Sequence, residues 1–327
     1  MNDTSPSSRV ESLDPVLAAM LPRMNAASPP INLGAPSLRD AYREMLARLR
    51  PGAEPFTGRI IDGTVVAAGA DVPIRTWIPE GASEHGDCVI YLHGGGWVMG
   101  DRESAAPAAR ALAERMKLRV VVVDYRLAPE HPFPAAFDDC LAVFRAERRR
   151  TNGWLGIAGD SAGANLGAAV AITARDLDER LDAQLLFYPA LDPTMSTDSH
   201  HLYAEGYLLT GEATRFYWES YIGGERTAPI ARDWRLAPST VESLNGVAPA
   251  VVSTAGYDPL RDEGNEYAAR LAAAGVPTLF LPQAGLAHGW VNQTYQIPSA
   301  KRALAEMIEA FQLLRERAGA LQKAPVR

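Results

Sequence analysis

From about residue 55 onward, short apolar runs alternate with helical patterns, and this alternation constrains the fold more than any other feature of the chain. Residues 88–92, 120–123, 155–158, 183–187, 250–254 and 278–281 are continuous apolar runs that read as buried strands. Residues 105–116, 137–147, 164–175, 263–274 and 299–317 carry the spacing of the intervening helices. Strands buried on both faces and separated by helices imply an α/β fold with a mostly parallel central sheet and helices on both faces. Ahead of them, residues 59–66 and 72–78 alternate as strands around a glycine-containing turn and predict a hairpin.

Two stretches stand outside the alternation. Residues 1–55 read as an arm. Pro29 and Pro30 interrupt it, with helical patterns at 14–21 and 37–49, the second repeating Leu38, Tyr42, Met45, Leu46 and Leu49 and carrying Ser37 as its expected N-cap. Between 192 and 239 no strand is evident, only two aromatic-rich helical pieces, and an insertion of this length in such a sheet is usually a lid or a binding wall. The expected organisation is therefore an arm over 1–55, a core over 56–191 and 240–327, and a cap insertion over 192–239.

Composition narrows the function. With 47% hydrophobic and 22% charged residues the chain can bury a large core. A net charge of −7 gives no global basic footprint for nucleic acid. The one local basic cluster, Arg145 with Arg148, Arg149 and Arg150, reads as a solvated helix end. Two cysteines, Cys88 and Cys140, make neither a disulfide framework nor a zinc site and are expected as buried thiols. No run of 18 apolar residues exists, and residues 1–9 are too polar for a signal peptide, so the expectation is a soluble cytoplasmic protein.

Two glycine motifs carry chemistry. Gly159-Asp160-Ser161-Ala162-Gly163 matches G-x-S-x-G, follows a strand and opens a small-residue helix, as a nucleophile elbow requires. His93-Gly94-Gly95-Gly96 follows the 88–92 strand and offers backbone N–H groups that a substrate could approach without a Cβ in the way. Gly94, Gly95 or Gly96, with the N–H of Ala162, would form an oxyanion hole. A phosphate loop is disfavoured, since neither G-x-G-x-x-G nor a Walker lysine follows. In such a fold the order is serine, acid, histidine. Of six histidines only His288 follows the last strands, in a loop over 283–289. Asp258, just beyond the 250–254 strand, is the acid of choice over Asp262. His200 and His201 fit no standard metal spacing and read as a solvated loop.

These motifs, with Trp97, Asp124-Tyr125-Arg126-Leu127-Ala128-Pro129-Glu130, Asp258-Pro259-Leu260-Arg261-Asp262-Glu263 and His288-Gly289, resemble the hormone-sensitive-lipase family of bacterial carboxylesterases over about residues 85–290. The GDSAG form resembles one of its subgroups. The resemblance implies an α/β-hydrolase core under a helical cap, and hydrolysis of short- to medium-chain acyl esters without a cofactor or metal. Arg126 and Glu130 would order the loop near the oxyanion glycines. Trp97, Tyr207, Leu208 and Trp218 are the expected substrate contacts. The expected partner is a small ester, not nucleic acid or a membrane, with room for a homodimer through an edge strand or the C-terminal helices. Other acyl-transfer chemistry on the same residues (amide hydrolysis, sugar deacetylation, transfer to an alcohol) and a ligand receptor on a hydrolase scaffold are the alternatives.

Overall fold

A computed structural model describes residues 12–49, 55–67 and 69–323. The polar stretch 1–9 and the junction of arm and core at 50–54 lie outside the described residues. The hairpin forms from β1 (Gly58–Ala67) and β2 (Ala70–Pro79), antiparallel in register from Gly58 opposite Pro79 to Ala67 opposite Ala70. The predicted buried runs become β3 (Cys88–Leu92), β4 (Arg119–Val123), β5 (Leu155–Asp160), β6 (Ala183–Phe187), β7 (Ala250–Ser253) and β9 (Thr278–Phe280). The resulting eight-stranded sheet has the order β1-β2-β4-β3-β5-β6-β7-β9, parallel from β4 onward.

Helices cover both faces. α3 (Ala106–Met116) and α9 (Pro298–Lys323) pack on one side, around Leu112, Ile308 and Phe311. α4 (Ala135–Arg150) and α5 (Ala162–Asp176) lie on the other, joined there by α8 (Arg261–Ala273). The fully buried strands β3 to β7 explain their unbroken apolar runs, because neither face meets water.

Several expectations need correction. The second arm helix, α2 (Ala35–Leu49), starts two residues before Ser37, because Pro36 fits a first helical turn and Leu38 N–H already bonds Gly34 O at 3.0 Å. Ser37 is therefore inside the helix. The segment expected as a loop before His288 is β10 (Gln283–Ala287), paired in parallel with β8 (Ala255–Tyr257) in a second, two-stranded sheet. Strands this short and rich in Gly and Ala carry no alternation to read. The arginines at the end of α4 are not simply solvated: Arg145 pairs with Glu179 at 2.8 Å and Arg148 with Asp182 at 3.4 Å. Cys88 and Cys140 are buried free thiols, and burial pushes both up.

The arm, α1 (Pro15–Ala27) and α2, lies over the C-terminal ends of the parallel strands. Asp14 caps α1 by accepting from the N–H groups of Val16 and Leu17. Leu17 and Leu21 enter the same core as α3 and α9. In the insertion, α6 (Asp198–Leu202) and α7 (Gly211–Ile222) account for the two predicted helical pieces. Its second half does not face the arm. Leu236 O accepts from the buried Asn165 on α5 at 2.9 Å, and Ser239 O accepts from Arg270 on α8.

Candidate active site

Ser161 sits between β5 and α5 at φ 55°, ψ −118°, a left-handed conformation that a non-glycine residue rarely holds. The turn is possible because its neighbours are small. A Cβ on Gly163 would run into the Leu92 carbonyl. Ser161 Oγ lies 2.9 Å from His288 Nε2. His288 Nδ1 lies 2.8 Å from Asp258 Oδ2, and the other Asp258 oxygen accepts from Leu260 N–H at 2.9 Å. Asp258 is fully buried, whereas the His288 side chain keeps 13% exposure, so only the serine-facing end of the line opens to substrate. β8 and β10 explain the meeting: they are paired neighbours, and Asp258 and His288 each follow directly on one of them. Asp262 is occupied elsewhere, by Ser199 N–H and Arg261.

The glycine loop is tied down from beneath. His93 is buried and stacks on Tyr125 at 4.2 Å, while Tyr125 Oη donates to His93 O at 2.6 Å. His93 Nδ1 lies 2.9 Å from Gly94 O. The Asp160 carboxylate accepts from Gly94 N–H at 2.9 Å and Tyr91 Oη at 2.8 Å, and burial raises its affinity for a proton. That bond corrects one expectation: the Gly94 N–H is spent on Asp160 and does not face the cavity. Gly95, at φ +124°, Gly96 and Ala162 do line it. Sequence reasoning missed Asp160 as the anchor of this loop, although an acid at the variable position of G-x-S-x-G, at the end of a buried strand, was a signal that it has an internal partner.

Arg126 and Glu130 divide the work expected of them. Arg126 is held by the buried Asp139, with Nη2 to Oδ1 at 2.8 Å. Glu130 pairs with Arg39 of α2 at 2.6 Å, and Arg39 also donates to Val98 O at 2.7 Å and Ala128 O at 3.0 Å. The arm is thus bolted to the segment that continues the oxyanion glycines. Arg39 carried no motif by which it could be found.

A cavity of about 750 Å³ opens above Ser161 between arm, insertion and sheet. Met20, Met24, Leu38, Met45 and Leu46 give it an apolar wall from the arm. Trp97, Leu208 and Trp218 line it, but both tryptophans are almost wholly buried, and Trp97 stacks flat on Tyr221 at 4.4 Å. Tyr207 does not line it. Its ring packs 5.1 Å from Tyr257 and 5.5 Å from Tyr203, fastening the insertion to the core. The Tyr188 ring stands edge-on to His288 at 4.8 Å.

His200 is not in a solvated loop. It is buried on α6, with Nε2 2.9 Å from Glu263 Oε2, and Glu263 Oε1 also accepts from Leu191 N–H at 2.6 Å. A carboxylate buried in α8 supplied the partner that made a buried histidine affordable. Among the described residues no group of three His, Cys, Asp or Glu side chains could hold a metal ion.

A serine, an imidazole and a carboxylate hydrogen-bonded in line at the strand ends of a doubly covered parallel sheet define the class: an α/β hydrolase. Comparison with known proteins agrees. Residues 89–292 match the family described as alpha/beta hydrolase fold. The carboxylesterase NlhH of Mycobacterium tuberculosis is 34% identical, with 94% of this chain and 98% of that protein covered. An arylesterase of Saccharolobus solfataricus is also 34% identical, over 84% of this chain and 89% of its own length. The hyperthermophilic esterase of the archaeon Pyrobaculum calidifontis superposes with a TM-score of 0.84 at 32% identity, covering 94% of this chain and 99% of that one. The chain belongs to the hormone-sensitive-lipase branch of the α/β-hydrolase family, and it is a carboxylic ester hydrolase.

Proposed function

We propose that Ser161 is the nucleophile, His288 the general base and then acid, and Asp258 the carboxylate that fixes the histidine's tautomer. Gly95, Gly96 and Ala162 supply the oxyanion hole. The observation that carries this is the unbroken line from Ser161 Oγ to His288 Nε2 at 2.9 Å and from His288 Nδ1 to Asp258 Oδ2 at 2.8 Å. Ser161 attacks the ester carbonyl as His288 takes its proton. The N–H groups stabilise the oxyanion, a contribution of about 3 kcal/mol for one good donor. His288 then protonates the leaving alcohol. Water, deprotonated by His288, releases the acid from the acyl-serine.

The substrates of this reading are small esters with short to medium acyl chains, held against Trp97, Leu208 and Trp218 and along the methionine- and leucine-rich wall of the arm. Residues 1–55 and the 192–239 insertion as far as α7 act as the cap, and 56–191 with 240–327 as the catalytic core, on which the insertion's second half packs. The protein works in the cytoplasm, where its buried thiols stay reduced. Its open sheet edge at β9, where Phe280 is 40% exposed, is the face for a homodimer. Hydrolysis of p-nitrophenyl esters from acetate to laurate tests the acyl range. The expected profile peaks at short to medium chains and falls at laurate; a maximum at laurate contradicts it.

A further inference from the structure

Leu208, half-buried between α6 and α7, lines the cavity in a conformation that a residue with a side chain rarely holds. Its φ is +74°, and the Leu209 N–H donates back to the Tyr207 carbonyl at 3.0 Å. A three-residue turn closed in this way around a residue of positive φ is the rare, strained form of the γ-turn. Strain of this kind persists only where the surroundings impose it, and it gathers at functional sites. One such constraint is the Tyr207 ring, packed on Tyr203 and Tyr257. The other comes from the arm. On the last turn of α1, Asn25 Nδ2 donates to Gly206 O at 2.7 Å, and Asn25 Oδ1 accepts from Leu208 N–H at 3.1 Å.

These bonds use the donor and the acceptor of one amide, so its orientation is fixed: turned over, it would set oxygen against oxygen and N–H against N–H. Leu21 and Leu17, one and two turns earlier on α1, are buried in the core and make the helix a firm support. The arm thus reaches the insertion and clasps its backbone on either side of Tyr207. Released to a negative φ, Leu208 would swing its Cβ, and with it the whole side chain, away from its present place on the cavity wall. We propose that Asn25 is a determinant of acyl-chain length: by holding Leu208 in this turn it keeps the leucine side chain across the path of the acyl group and confines the enzyme to short and medium chains. The inference rests on the reading above that lays the acyl chain against Leu208.

Hydrolysis of p-nitrophenyl butyrate and p-nitrophenyl decanoate by the full-length protein tests it. The readout is kcat/KM for decanoate divided by that for butyrate, taken on one preparation and so independent of how much protein is folded. Asn25→Ala is expected to raise this ratio about tenfold, the lower end of what one methylene is worth in an apolar pocket. Asn25→Leu, which keeps the bulk of the side chain and removes both bonds, should raise it likewise. Leu208→Gly removes the side chain at a φ that glycine holds without strain, and the same rise is expected. Asn25→Ala combined with Leu208→Gly should do no more than either alone, since both act through one side chain. A ratio unchanged or lowered in both Asn25 variants, or effects that multiply in the double variant, overturns the proposal and leaves the esterase in place. A ratio unmoved in Leu208→Gly overturns it together with the placement of the acyl chain on this residue. Absence of wild-type turnover of both esters defeats the catalytic reading itself.

Discussion

Asp160 stands next to the serine in sequence yet points away from the reaction, into a fully buried site where Tyr91 and Gly94 are its partners. A charge-assisted bond to a backbone N–H is stronger than a neutral one, so this carboxylate fixes where the next two glycine N–H groups point. Asp160→Asn is expected to lower kcat about 10- to 100-fold with KM little changed, since the oxyanion matters in the transition state more than in the bound ester. Steady-state kinetics on p-nitrophenyl butyrate decide it, and a wild-type kcat sinks the idea. Gly95→Ala is harsher. Its φ of +124° suits glycine alone, and a Cβ there would strike the Met99 carbonyl. A loss of about 10²- to 10³-fold in kcat is expected. At this scale the sequence was informative where chemistry dictates residue type: Ser161, His288 and Asp258 follow from motif, order and elimination. It misplaced the Gly94 N–H and Tyr207, which it put on the substrate, because which atom faces a cavity depends on neighbours distant along the chain.

Between elements, two ties hold the cap to the core. One is Arg39, which joins α2 to Val98, Ala128 and Glu130. Arg39→Ala removes two bonds to backbone carbonyls beside the glycine loop, and kcat/KM for a medium-chain ester is expected to fall about tenfold. Arg39→Lys should recover part of it by keeping the charge; equal activity of wild type and Arg39→Ala contradicts the coupling. The other is His200 with Glu263, joining α6 to α8. Burial raises the Glu263 carboxyl from the ordinary 4.5 to about 6, against the opposing pull of His200 and Leu191 N–H. The native state then holds this proton more tightly than the unfolded chain. Its contribution is fully present below pH 4.5 and is lost as pH rises through about 6, on the order of 2 kcal/mol. Denaturant melts from pH 4 to 7 should show the wild type losing stability relative to Glu263→Gln across that window; a constant difference between the two removes Glu263 as the cause. Neither tie was legible in sequence. The helices themselves were, because a 3.6-residue period survives in any context, but β8 and β10 were not, since short Gly- and Ala-rich strands show no period at all.

For the molecule as a whole, the arm is not an appendage. Leu17 is wholly buried among the same side chains that pack α3 and α9 on the sheet. Leu17→Ala should cost about 2–4 kcal/mol. Cap and core sharing one hydrophobic cluster should also melt together, so tryptophan fluorescence and far-ultraviolet circular dichroism are expected to give one coincident transition in wild type and variant. Two separated transitions would show an independently folding arm. Among the described residues no helix is long and apolar enough to cross a membrane. The alternation of buried runs and helices announced the layered sheet. What the sequence could not announce was that the insertion's second half packs down on α5 and α8, since that depends on Asn165 and Arg270 reaching carbonyls 71 and 31 residues away along the chain.

The central claim is that Ser161 carries the acyl group between substrate and water. Rapid-quench mass spectrometry during turnover of p-nitrophenyl butyrate, on wild type and Ser161→Ala, tests it most directly. The account predicts a single butyryl group on the peptide containing Ser161 in the wild type, formed and lost at rates that match turnover. In Ser161→Ala, adduct and turnover should both disappear. Turnover that persists in Ser161→Ala, or a butyryl group that forms at any other residue at the rate of catalysis, would contradict it.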